Sequence, residues 1–249
     1  MIRALAVAVI PALVLPSLLL PLGNPALFAM LPVAPLAWVY VRAIAARKPR
    51  TAVTLALAWA AAVTVATVAA AAGSPEAAPR GIWHATAYRD EMLRWIATGV
   101  GAEGSIARFL PRVLVEYGLV VVLGACTAGA LALLMGSLLL GYMNGYVGWV
   151  VASADPKAGP LVAAFLAWPP WPMARVVSFI LAGTAAAAWG YPRLYDRDGP
   201  RPNVKPLFVA SLGFLAADIA LKGWLAPVWR QLLRSLLGAS AGIDAGGTG

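Results

Sequence analysis

The chain has 249 residues, 61% of them hydrophobic and 12% charged, with mean hydropathy +0.80 and formal net charge +9. Soluble globular domains carry about 25% charged residues, so this composition lies far outside that class and points to a helical membrane protein. The basic residues cluster beside apolar runs, as at cytoplasmic flanks and anionic-lipid contacts, which argues against a dedicated nucleic-acid surface unless the chain is a translocation subunit.

Ala4–Leu22 is long enough to span a bilayer, and Gly23, Asn24 and Pro25 form a turn before a second span, Ala26–Val41. A cleaved signal peptide is the competing reading. The apolar run exceeds a typical signal core and no Ala-x-Ala site follows, so a membrane hairpin is the better one. Pro11, Pro16, Pro21, Pro32 and Pro35 should kink both helices, which lipid tolerates where neighbours satisfy the freed carbonyls. Arg42, Arg47, Lys48 and Arg50 form the densest basic cluster, with no acid nearby. By the positive-inside rule they mark a cytoplasmic loop and a cytoplasmic N-terminus, with the cluster as a lipid-contacting flank.

Thr51–Ala72 is a third span rich in small residues. Residues 73–112 are the longest polar stretch, and within them Ala85–Ala97 reads as an amphipathic interfacial helix with Tyr88, Met92 and Trp95 on one side. Residues 112–153 run almost without a break, as one span or two. A split near Gly136 and Ser137, into Val113–Met135 and Leu138–Ala152, is favoured because it returns the basic Arg193–Lys205 loop to the cytoplasm. Leu161–Trp168 is too short to span and ends in prolines, so it reads as a half-helix or re-entrant element packed inside protein. Met173–Tyr191 and Leu207–Trp229 are the last full spans. A short amphipathic tail with Arg230 and Arg234 and a disordered Gly-rich end follow. The predicted fold is therefore all-α, a polytopic transmembrane bundle of six to seven spans with one half-helix. Its parts are an N-terminal hairpin with basic loop (1–50), the third span with its extracytoplasmic segment (51–112), a C-terminal membrane core (113–229) and a tail (230–249).

Four charges lie in or beside the spans: Glu116, Arg175, Asp218 and Lys222. An ionisable group in hydrocarbon costs roughly 2.5–3.5 kcal/mol on insertion scales, so such groups seek a partner, a cavity or a pathway. Asp218 and Lys222 are one helical turn apart, and an intrahelical salt bridge, with Lys222 snorkelling toward the interface near Trp224, outweighs a coupling pair. Arg175 reads as an interfacial arginine between Trp168 and Trp171, with lipid phosphate or Glu116 as its alternative partners. Gly141, Asn144, Gly145 and Gly148 form a small-residue face for close helix packing. The single cysteine, Cys126, falls inside an apolar helix and permits no intrachain disulfide, and the single histidine, His84, makes no metal site by itself. There is no metal-ligand spacing, P-loop, GxSxG or HExxH, so neither cofactor nor enzymatic activity is expected. Three asparagines, one glutamine and twenty prolines fit a heat-loving source, as does GC-rich coding.

Residues 123–229 resemble the stage II sporulation protein M family of integral membrane proteins. The resemblance rests on the run from Gly141 to Gly148 around Asn144-Gly145, on the helix start from Pro170 to Arg175, and on the last span ending Lys222 to Pro227. Two acidic family positions are basic here, Arg175 and Lys222, and the family's His-Gly is Trp171-Pro172. The resemblance implies a multi-helix membrane scaffold without known enzymatic activity. From the residues and the resemblance together, the expected role is a non-catalytic scaffold or partner subunit of an envelope or transport complex, in the cell membrane with protein partners or copies of itself. The alternative is a permease or channel subunit using the broken helix and buried charges.

Overall fold

The computed structural model describes residues 1–196 and 201–238, and the Gly-rich end expected to be disordered lies outside them. Among the described residues there is no strand, and seven helical segments are long and apolar enough to cross a membrane. The protein is an all-α integral membrane bundle.

α1 (Ile2–Leu19) carries Pro11 and Pro16 within it and ends through a 3-10 turn at Gly23, whose left-handed φ of 63° suits a residue without Cβ. Asn24 caps α2 (Pro25–Met30) by accepting from the Ala26 and Leu27 amides, both at 3.1 Å. α3 (Ala34–Ala45) completes the same span after a break at Leu31–Val33. Two carbonyls at this break find neighbours: Ser137 Oγ donates to Ala29 O at 2.8 Å and Trp59 Nε1 to Pro32 O at 2.9 Å. The proline kink is tolerated because α4 (Pro49–Gly73) and α8 (Ala130–Ser153) supply those donors.

The short α5 (Ala78–Gly81) leads to α6 (Ala85–Thr98), the amphipathic helix expected at the interface. Its apolar side, with Met92 and Trp95, is buried against protein and does not rest on lipid alone. α7 (Ile106–Cys126) and α8 are two spans, but they part at Thr127–Gly129, before the expected Gly136. The Thr127 hydroxyl donates to Leu123 O at 2.6 Å and accepts from the Leu131 amide at 3.1 Å, closing one helix and opening the next. Gly129 turns the chain at φ 92°, where a side chain would run into the ring of Tyr40. Gly136 is instead mid-helix, and Cys126 is an exposed terminal residue of α7.

α9 (Pro160–Ala167) is the expected half-helix, with its Leu166 carbonyl satisfied by Trp229 Nε1 at 2.6 Å. It is not enclosed in protein. Only Ala163 and Ala167 are buried, while Leu161, Val162 and Phe165 face outward, because one small-residue edge is all it presents to α8 and α11. α10 (Pro170–Leu194) is the central helix, 67% buried along its apolar window, whereas α7 and α11 are each 22% buried. Its run Ala182–Ala188, interrupted only by Gly183 and Thr184, lets α4, α7 and α11 approach closely. α11 (Lys205–Leu237) absorbs the tail: it continues through Pro227 to Leu237, where Leu233, Leu236 and Leu237 pack in the cluster that holds α6. Arg230 donates to the Ile96 and Ala97 carbonyls at 2.9 and 2.8 Å, serving as a C-terminal cap for α6.

Arg47 pairs with Asp196, so the end of α10 returns to the side that carries the basic loop. Tyr195 donates to Cys126 O at 3.0 Å, placing the α7–α8 turn on that side too.

Candidate functional site: a buried ion-pair cluster

The four membrane charges do not pair as their spacing suggests. Asp218, fully buried on α11, accepts two hydrogen bonds from Arg175 on α10, Nε at 3.0 Å and Nη2 at 3.2 Å. This is the bidentate fork for which a guanidinium is shaped. Lys222 is 1% exposed, so it does not snorkel, and its Nζ lies 3.0 Å from Glu103 Oε1. That contact is a close ion pair without a directed hydrogen bond, and the ammonium also stands 3.5 Å from the ring centroid of Phe109. The Arg175 guanidinium stands 4.6 Å from the same centroid, so one aromatic ring serves two cations. Glu103 is completed by Trp171 Nε1, which donates to Oε2 at 3.0 Å.

The intrahelical Asp218–Lys222 bridge is therefore replaced by two bridges between elements. The reason is geometric. Asp218 on α11 reaches a forked donor on a neighbouring element and needs no ammonium beside it, while Lys222 reaches a close opposite charge on the connection before α7. Arg175 likewise does not pair with Glu116. That carboxylate is held by Arg112 Nε at 3.0 Å, one turn away on α7, and Arg112 also reaches Glu91 at 3.9 Å.

Trp171, read from the sequence as an interfacial neighbour of Arg175, completes the site together with Glu103, Phe109 and Arg112, which were not singled out there. Glu103 lies in the connection between α6 and α7, among Gly99, Gly101 and Gly104. Side chains at Gly101 or Gly104 would press on Trp95, so the connection lies flat on that ring and turns Glu103 inward, to 9% exposure. No local periodicity marks such a residue. The only signal was an acid next to an apolar run that begins with no other acid.

Two cavities meet at this cluster. A small one of about 20 Å³ touches Glu91, Glu103, Arg112 and Phe109, and a larger one of about 60 Å³ runs toward Tyr40 and Thr184. Glu116, Tyr142, Met143 and Arg175 line both. At the far end Tyr40 donates to Thr184 Oγ1 at 2.9 Å.

The small-residue face of α8 meets α2, α4 and Ile82 before α6. A Cβ on Gly148 would stand 2.8 Å from Val68 O, one on Gly145 would meet Ile82 at 3.0 Å, and Gly141 faces Ile82 and Phe28 more loosely. Asn144 Nδ2 donates to Thr64 Oγ1 on α4 at 3.2 Å. Of the basic flank, Arg42 stacks on Trp38, Arg47 holds Asp196, and Arg50 and Lys48 are exposed. Among the described residues no group of His, Cys, Asp and Glu has metal-holding geometry.

Compared with known protein families, curated proteins and solved structures, the chain matches none.

Proposed function

We propose that this integral membrane protein is a non-catalytic scaffold or partner subunit of an envelope or transport complex. The observation that carries the reading is that Arg175, Asp218, Lys222 and Glu103 are consumed in pairs across three elements. A conducting path keeps a titratable group free to change partners, whereas a paired, buried set ties helices together. The exposed apolar faces of α7 (Leu114, Val115, Val122) and α11 (Val209, Leu212, Trp224) provide area for lipid or for a second protein. The kinship to stage II sporulation proteins proposed from the sequence agrees with this role. The same reading places the protein in the cell membrane with the Arg42–Arg50 loop and the N-terminus in the cytoplasm.

The test is flux in proteoliposomes loaded with a pH-sensitive dye. A scaffold passes protons and small ions no faster than empty vesicles. Flux above that level, lost in Arg175→Gln, overturns it.

A second reading, a permease subunit, is favoured by the two cavities that share Arg175 and Glu116. Gly136 lines the larger one, and a Cβ there meets nothing within 4 Å. Gly136→Leu would start its side chain in open space at the edge of that cavity. A transport activity abolished by that change, in a protein that melts no earlier, would establish the permease.

A further inference from the structure

A groove of about 370 Å³ opens between α1, α3 and α4 at the end of the bundle that carries the basic loop. Three cations from three places in the chain line it: Arg3 in the first turn of α1, Arg42 in the last turn of α3, and Lys48 at the start of α4. All three are exposed, and among the described residues no acid lines the groove. Deeper along the same helices the lining turns apolar, with Val7 four residues after Arg3, Val39 three before Arg42 and Leu55 seven after Lys48. Arg42 is held by its stack on Trp38, 4.9 Å from the ring centroid, which orients the guanidinium at reduced entropic cost. The neighbouring Arg47 is spent on Asp196, and Arg50 does not line the groove, so the selection of cations differs from the simple basic run.

We propose that this groove binds one anionic glycerophospholipid from the adjoining leaflet. The phosphate sits among Arg3, Arg42 and Lys48, and an acyl chain lies along Val7 and Val39. The order of chemistry along the groove decides the occupant. A free phosphate has no use for the apolar floor, and a soluble acidic peptide would have to enter at hydrocarbon depth. A zwitterionic lipid fits the floor but carries an ammonium that three unpaired cations oppose. A juxtamembrane cation adds about fivefold to the affinity for an anionic lipid surface, so three acting together give on the order of a hundredfold.

The experiment is native mass spectrometry of the full-length protein in mild detergent, titrated with phosphatidylglycerol or with phosphatidylcholine of identical chains. One phosphatidylglycerol should bind at least about tenfold more tightly than phosphatidylcholine, and inorganic phosphate in excess should not displace it. R3Q/R42Q/K48Q should lose the preference, while R50Q, which removes a charge at the same end outside the groove, should keep it. Should the triple variant fail to fold, R42Q alone is read, with an expected loss of about fivefold. Equal binding of the two lipids by the native protein, or an equal loss in R50Q, would overturn the assignment in favour of diffuse charge. Displacement by inorganic phosphate would overturn it in favour of a plain anion site.

Discussion

Lys222 on α11 meets Glu103, which precedes α7, with Nζ 3.0 Å from Oε1 and both side chains buried. Removing one partner strands the other charge in a low-dielectric interior, at a cost of about 3–5 kcal/mol, whereas removing both leaves no orphan. Lys222→Ala and Glu103→Ala are thus expected to be strongly destabilising and their combination less than additive. Thermal melts in detergent read the coupling. The cycle of Lys222→Ala with Asp218→Ala should show weaker coupling, because Asp218 is held by Arg175. A stronger coupling in the second cycle would restore the intrahelical pair.

Two glycines of α8 should respond in opposite directions. Gly148→Ala places a methyl against Val68 O and the Ala71 methyl, and the overpacking should destabilise by about 1–3 kcal/mol. Gly136→Ala meets open space in the middle of a helix and should stabilise by about 0.5–1 kcal/mol. Melting temperatures of the two variants that move together would contradict the α4–α8 contact.

Burial, and next the Glu103 carboxylate, push the Tyr88 phenol on α6 well above its ordinary range. Because the folded value is raised, its contribution to stability is complete below the unfolded value of about 10 and is lost as pH rises through it toward the folded value. The protein should therefore lose stability above about pH 10, and Tyr88→Phe should lose it less steeply. Melts across alkaline pH with superimposable slopes would remove Tyr88 as a source.

Cys126 is the single cysteine and is exposed at the α7–α8 turn, on the side joined by the Arg47–Asp196 pair. If the basic loop is cytoplasmic, a membrane-impermeant maleimide should label Cys126 in inside-out vesicles and not in intact cells. Labelling of intact cells would invert the proposed orientation.

The helical membrane class and most of the span positions were legible in the sequence. Those properties depend on the length of apolar runs and on prolines, which act locally against a uniform solvent. The sequence also exposed the half-helix, expected at Leu161–Trp168 and found at Pro160–Ala167. It misplaced the α7–α8 turn, because Gly136 and Gly129 look alike in composition and only a left-handed backbone beside Tyr40 separates them. The partners of Asp218, Lys222, Arg175 and Glu116 were decided by tertiary structure alone. Helical spacing shows which residues share a face, but a buried charge pairs with an opposite charge brought close on any element. For Lys222 that charge was Glu103, a residue whose burial depends on a glycine-rich connection laid flat across Trp95.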